Sequence, residues 1–330
     1  MSKELHVQAA FVRELGAPSK IEVGELNIAG PGGNEIVVGV AETCVNPVDT
    51  FVRSGRFPTP VPLPLVLGRD LVGAGEWAPK FSRFSMGDRV WACTLGHGGR
   101  QGSFAPRAVV PEDRLYPILD GVPYENAVAI AHPGTTAALA WFAHAGLRAG
   151  QTVFVGGAAG NVGAAAVAMA RWVGARVIAS AGAKDLQTVR EAGADVAVDY
   201  RATDLARKVL AAAPQGVDVV WDTSGLMDYA ATAQMVTVGG KVLVTAAGAG
   251  PAPVPWGQLY TKDVDVLGFV HSRASAQEMR RAAQIVNTGL VDGWLRPNIT
   301  ETAGLAAARR VHEQMEAGDV RGRIVLRVGL

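Results

Sequence analysis

Residues 152–163, TVFVGGAAGNVG, constrain this chain more than any other stretch. The β-branched run Thr152, Val153, Phe154, Val155 meets a cluster of small residues and then an apolar-periodic segment starting near Asn161. That order predicts strand, tight turn, helix. Glycine at 157, 160 and 163 removes side chains where the backbone must turn sharply, lie against a bulky ligand and let the helix seat on its strand. The first helical N–H groups, Asn161 and Val162 among them, would then face an anion such as a diphosphate. Val162, Ala166, Met169 and Val173 repeat at helical spacing and predict the buried face. Ala158 stands where the first glycine of a GxGxxG fingerprint would be. A dinucleotide is the expected ligand, and a packing-only turn the alternative.

A helix entered this way needs a parallel sheet around it, and the chain is long enough to supply one. Its 330 residues exceed one ordinary core and predict two domains. Strand patterns at 153–155, 176–179, 196–198, 217–222, 241–245 and 264–269 alternate with helical ones. The expectation is α/β: a doubly wound parallel sheet of about six strands, with loops after the strands lining one crevice. Before it, residues 5–115 hold short β-branched runs punctuated by glycine and proline, with strands clearest at 5–12, 36–40, 71–74 and 89–92. Pro58, Pro60, Pro62 and Pro64 predict an exposed rigid loop. Residues 127–144 are helix-compatible, and Pro133-Gly134 should split them. After Phe269 come helices at 274–288 and 304–315 and a last strand at 323–328. The boundaries read as 1–126, 127–267 and 268–330.

Net charge is +1 with both signs interspersed, which favours neither nucleic acid nor an anionic membrane as partner. Cys44 and Cys93 are the two cysteines, too few for a four-cysteine zinc lobe, and are expected reduced and half-buried. The first residues carry no apolar leader, and no apolar run reaches membrane-spanning length. A cytoplasmic protein is the expectation.

The second strand of such a sheet usually ends in a carboxylate that binds the ribose hydroxyls of NAD. Here residues 176–179 run into Ser180, Ala181, Gly182, Ala183 and Lys184. Small donors and a cation suit a 2′-phosphate, so NADPH is the expected cofactor. Lys184 also fits a solvated surface lysine. Tyr200 and Arg201 after the third strand would stack on or pair with the same phosphate, or form an ordinary loop.

The segments VNPVDTFVRSG (45–55), LGRDLVG (67–73), GDRVW (87–91), HPGTTAALAW (132–141), GGAAGNVG (156–163), AVDYR (197–201) and GWLRP (293–297) resemble, in this order, the zinc-free quinone oxidoreductases of the medium-chain dehydrogenase/reductase superfamily, the relatives of zeta-crystallin. The resemblance implies a GroES-like β-rich catalytic domain, an inserted Rossmann domain, a C-terminal return to the first, an active site in the interdomain cleft, and a homodimer through the sheet edge at 264–269. Zinc-dependent relatives place their ligands at positions that align with Asn46, Arg69 and His132. Asparagine is a poor zinc ligand and arginine none, so no metal is expected. His132 then reads as a packed or hydrogen-bonding cleft residue.

Without a Lewis acid, alcohol oxidation is hard. A quinone or activated C=C accepts hydride more readily, because charge spreads into a phenolate or enolate. The implied activity is NADPH-dependent reduction of a quinone. The alternatives are an enone, 2-enoate or enoyl-thioester reductase and, in another class, a non-catalytic nucleotide- or RNA-binding crystallin-like protein. By resemblance, Asn46 bonds near nicotinamide or substrate, Asp49 holds the turn, with Arg53 as one candidate partner, and Thr136 lies beside the nicotinamide; a self-bonded Asx turn before proline and a plain helix hydroxyl are the alternatives. Ala246, Ala247, Phe269 and His271 would offer backbone groups to the carboxamide. Phe51 and Phe57 stand where several relatives carry cleft tyrosines. His97 and Arg100, in the loop GHGGRQG, would meet an anionic or carbonyl end of the substrate, or sit as solvated loop tips.

Overall fold

A computed structural model describes residues 3–246 and 251–328. The chain forms two compact units, one from Met1–His132 and Met279–Leu330, the other Pro133–Glu278.

The first unit begins with β1 (Glu4–Val12), β2 (Glu22–Ala29) and β3 (Glu35–Cys44), then α1 (Pro47–Ser54), β4 (Leu65–Val66), β5 (Leu71–Trp77), β6 (Arg89–Ala92), β7 (Arg107–Pro111) and β8 (Tyr116–Pro117). β1 alternates exposed and buried residues along its first half, as a strand with one face on a core must. It pairs antiparallel with β2 and β4 in a small sheet. β3, β5, β6 and β8 join a second sheet, with β7 also paired to β3. Phe11, Val37, Val66, Leu67 and Phe104 pack between them, each at most 2% exposed.

α2 (Tyr124–Ala138) runs unbroken through Pro133 and continues as a π-helical turn, Leu139–Ala145, ended by Gly146 in the left-handed region. The split expected at Pro133-Gly134 is absent. A proline inside a helix costs about 3 kcal/mol. Burial of Val128, Ala129, Ala131, Ala137, Leu139 and Trp141 around it outweighs that cost.

The second unit follows with β9 (Thr152–Gly156), α3 (Asn161–Trp172), β10 (Arg176–Ala181), α4 (Leu186–Glu191), β11 (Val196–Asp199), α5 (Leu205–Ala212), β12 (Val217–Asp222), α6 (Tyr229–Met235), β13 (Val236–Val244), α7 (Trp256–Tyr260) and β14 (Asp265–Gly268). The strands form one parallel sheet in the order β11-β10-β9-β12-β13-β14. This is the doubly wound arrangement, with its topological switch between β9 and β12. The buried face of α3 is Gly163, Ala165, Ala166, Val167, Met169 and Ala170, whereas Val162 and Val173 are only half-buried. Trp141 packs edge-on to Trp221 at 5.1 Å and donates its indole N–H to the Ala166 carbonyl at 2.9 Å.

The chain ends with α8 (Ala276–Val291), β15 (Ile299–Gly304), α9 (Ala308–Ala317) and β16 (Arg323–Arg327). β16 pairs antiparallel with β3 and carries β15 as its parallel neighbour, so the C-terminal segment completes the larger sheet of the first unit. The units change at 132/133 and 278/279, inside α2 and α8, whereas the sequence placed boundaries at 126/127 and 267/268. Cys44 and Cys93 are fully buried, not half-buried. Among the described residues, no helix is long and apolar enough to cross a membrane.

Candidate functional site

In the second unit, the turn after β9 is held from three sides. Ala158 N–H donates to the Ser180 carbonyl at 2.9 Å, tying the loops after β9 and β10. Thr223 donates its backbone N–H and its hydroxyl to the Gly156 carbonyl, at 3.0 and 2.9 Å. Gly157 adopts φ +68, and a Cβ there would stand 2.9 Å from Thr223 Oγ1. A Cβ on Gly163 would stand 2.3 Å from the Gly157 carbonyl oxygen, so the helix sits against its own turn because that residue has no side chain. The N-cap of α3 is Gly160, which brings no side chain to the first-turn N–H groups. These features form a cradle that a Cβ would fill, opening on the positive end of a twelve-residue helix. The residues present therefore fit the diphosphate of a dinucleotide.

Beside this turn the structure puts two carboxylates that the sequence reading did not use. Asp222, at the end of β12, accepts from Ser224 N–H at 2.7 Å, and its Oδ2 lies 2.5 Å from where a Gly156 Cβ would be. Asp185 has Oδ2 3.4 Å from the Cβ position of Gly182. The expected lack of a carboxylate near the end of the second strand thus holds only up to residue 184. The acid follows one residue later, placed by the short helical turn Ala183–Asp185. Lys184 on that turn is exposed, as is Tyr200 at 51%. Arg201 is exposed as well: its guanidinium covers the Tyr200 ring at 4.9 Å, and its Nη1 and Tyr200 Cε1 stand 3.9 and 3.8 Å from the Cβ position of Gly182. Ser180 is buried at the end of β10.

Thr245, Ala246, Gly268 and Phe269, at the ends of β13 and β14, line a cavity of about 540 Å³ together with Arg273 and Glu278. His144 stacks on Phe269 at 4.2 Å with planes 15° apart. His271 is buried, with Nε2 2.9 Å from Thr135 Oγ1. The neighbouring Thr136 is buried on α2. Ala247 lies outside the described residues.

In the first unit, the residues of NPVD and GRD meet β16 in a buried ionic cluster. Asn46 precedes α1, and its N–H donates to Asp49 Oδ2 at 2.8 Å, closing the helix start. Its side chain faces inward, 1% exposed: Nδ2 donates to Asp70 Oδ2 at 2.8 Å, and Oδ1 accepts from Arg323 Nη1 at 2.9 Å. Arg323 Nη2 also pairs with Asp70 Oδ2 at 3.2 Å, and Arg69 Nε pairs with Asp49 Oδ1 at 3.4 Å. Burial raises the Asp70 carboxyl to about 7, with Arg323 and Asn46 pulling the other way. Asp49 is raised too, by burial against the opposing charge of Arg69. The amide of Asn46 is thus engaged through both its nitrogen and its oxygen, and Oδ1 keeps one lone pair. Asp49 does not act through Arg53. That guanidinium turns instead to the Gly16 carbonyl and to Glu316, because α1 presents the two residues to different neighbours.

Arg69 thus brings a guanidinium, and Asn46 an engaged amide, to two of the three positions aligned with metal ligands. The third, His132, is half-buried on α2. Phe51 is 37% exposed under Arg56, whose guanidinium lies 4.6 Å from the ring centre, while Phe57 packs half-buried against the core. His97 is not a solvated tip: it is 5% exposed, and its loop is pinned by Gly98 N–H to Thr59 Oγ1 at 2.9 Å and Gly99 N–H to the Pro60 carbonyl at 2.8 Å. Burial, and then the charges of Arg69, Arg100 and Arg114, push the His97 imidazole down to about 3. The roles of Asp70 and Arg323 had no local signal, since their partners lie far away in the sequence.

Residues 32–120 match the family described as alcohol dehydrogenase GroES-like domain, and residues 161–288 match zinc-binding dehydrogenase. Quinone oxidoreductase of Pseudomonas aeruginosa is 30% identical over 94% of this chain and 96% of its own length. Quinone oxidoreductase of Mus musculus is 28% identical over 97% of both. A mycobacterial protein solved in complex with NADPH superposes with a TM-score of 0.85, at 26% identity over 97% of this chain and 99% of its own. With its GroES-like and Rossmann units in that order and a relative of this identity along nearly its whole length, the chain belongs to the quinone oxidoreductase family of the medium-chain dehydrogenase/reductase superfamily.

Proposed function

We propose that this oxidoreductase uses NADPH, without a catalytic metal, to reduce a quinone or a similarly activated acceptor. The observation that carries this reading is the ionic cluster of Asn46, Asp49, Arg69, Asp70 and Arg323. Its donor chemistry opposes a divalent cation, because two guanidiniums already answer the two carboxylates. Reduced nicotinamide, when bound, supplies a hydride. The chain's own part is to bind, orient and exclude water. The turn at Gly157, Ala158 and Gly160 and the start of α3 at Asn161, Val162 and Gly163 would hold the diphosphate. Ser180, Gly182 and Arg201, with Lys184 and Tyr200 at the rim, would take the 2′-phosphate, although Asp185 opposes it. Thr136, Ala246, Phe269 and His271 would border the carboxamide, and Phe51, Phe57 and His132 the acceptor. Charge arriving on an acceptor oxygen spreads into its conjugated system, so solvent suffices as proton source. β14 has no second neighbour among the described strands, and we assign a homodimer contact to that edge.

The test is NADPH oxidation with 1,4-benzoquinone, 9,10-phenanthrenequinone, an enone and a 2-enoate, each with and without a chelator, beside oxidation of simple alcohols. The expected result is quinone turnover that a chelator leaves unchanged, with no alcohol oxidation. Loss of activity on chelation, restored by zinc, overturns the proposal.

A further inference from the structure

Arg100 belongs to a loop that is fixed rather than free. Besides the bonds at Gly98 and Gly99, Gln101 bridges outward, accepting from Val66 N–H at 2.7 Å and donating to the Pro64 carbonyl at 2.9 Å. This turns the guanidinium back onto its own loop. Nη2 donates to the Thr94 carbonyl at 3.2 Å and lies 3.4 Å from His97 Nε2. The group covers Gly98, where a Cβ would come within 3.6 to 3.9 Å of Nη2, Nη1 and Cζ.

Two polar groups and one charge here lack an answer among the described residues. Arg100 Nε is buried without a hydrogen-bond partner. No carboxylate comes within ion-pair reach of that side chain; Asp113 and Glu35 act on it only from farther off, against Arg114 and Arg69. Thr94 Oγ1, in a residue 1% exposed, also has no partner. His97, held neutral, does nothing to balance the charge. Water satisfies an orphan N–H or hydroxyl, but a half-buried cation is matched better by an anion than by water alone. A carboxylate meets all three demands: negative charge, two oxygens in the plane of a guanidinium, and an acceptor for a hydroxyl.

We propose that Thr94, His97 and Arg100 form a carboxylate-binding subsite, and that the acceptor this enzyme reduces carries a carboxylate beside its reducible group. Arg100 and Thr94 contact that group, and His97 positions the guanidinium. The second half of the statement rests on the acceptor-reducing function proposed above; the first does not. Two measurements separate them. One compares kcat/KM for methyl-1,4-benzoquinone and carboxymethyl-1,4-benzoquinone. The other follows binding of benzoate, an unreactive carboxylate, by calorimetry on the full-length protein.

The expected result is a KM at least tenfold lower for the carboxylated quinone. Arg100→Gln should reduce that preference tenfold or more, with partial rescue by Arg100→Lys, and benzoate binding should disappear in Arg100→Gln and weaken with salt. Equal KM values, or an Arg100→Gln effect of the same factor on both quinones, overturn the acceptor assignment. Benzoate binding that survives Arg100→Gln overturns the subsite. If neither quinone is reduced, the proposed function fails, and the benzoate comparison still decides the subsite. Thr94→Val, which keeps shape and charge, serves as the second variant should Arg100→Gln fail to fold, and should weaken benzoate binding severalfold.

Discussion

His312, on α9, makes the stability of the first unit depend on pH in a way that one substitution isolates. Its ring is fully buried, edge-on to Phe104 at 6.2 Å, and neither nitrogen has a hydrogen-bond partner among the described residues. Burial, reinforced by the charge of Arg53, lowers its pKa to about 3. The unfolded chain keeps the ordinary value of about 6.5. Above that value both states are neutral and the group contributes no pH dependence. Between about 6.5 and 3 the unfolded state binds one proton more than the folded state, so stability falls by about 1.4 kcal/mol for each unit of acidification. At pH 5 the loss is about 2 kcal/mol, which depends little on the folded value as long as that stays well below 5. For a domain of this size this shifts the melting temperature by roughly 5 °C. His312→Leu removes the titration and forfeits no hydrogen bond. Thermal melts of both proteins at pH 8 and pH 5 test the reasoning. The variant should equal or exceed the parent at pH 8 and gain about 2 kcal/mol on it by pH 5. His97 contributes the same loss of stability on acidification to both proteins, so the difference belongs to His312. Parallel loss of stability in the two proteins refutes the account.

The buried ionic cluster predicts strong coupling: Arg323→Leu strands Asp70 and should cost about 3 to 5 kcal/mol, while adding Asp70→Leu should return part of it. Chemical denaturation of the single and double variants checks this, and simple additivity contradicts it. At the nucleotide turn, Arg201→Ala should weaken NADPH about tenfold or more with little change for NADH, whereas Lys184→Ala should act severalfold at most. Fluorescence titration with each dinucleotide reads both, and unchanged NADPH affinity in both variants contradicts the 2′-phosphate assignment.

The nucleotide-binding unit was legible in the sequence because its signals are local. Glycine spacing, β-branched runs and helical periodicity each act within about a dozen residues, and β9, α3 and the six alternating strands follow from them. β15 escaped because Ile-Thr-Glu-Thr-Ala-Gly has a half-buried face of isoleucine, glutamate and alanine, too polar to read as a strand. The continuity of α2 escaped because Pro133 is a local signal overruled by tertiary burial. The ionic cluster was the least legible part. Asn46, Arg69 and Arg323 come from distant segments, and nothing near Arg323 hints that a guanidinium there is buried. His97 and Arg100 looked like a surface tip because glycine-rich loops usually are. What pins them is a threonine and a proline carbonyl almost forty residues upstream, and side-chain bonds from Gln101.

The bond between Asp70 and Arg323 joins residues separated by 253 positions, with the whole nucleotide-binding unit inserted between them. During synthesis the β-sheets of the first unit emerge early, yet the carboxylate at their centre meets its guanidinium only after β16 leaves the ribosome. Until then that lobe must keep Asp70 hydrated or protonated, and the later unit is free to fold around its own sheet first. That one bond can close only once the inserted unit has been synthesised in full.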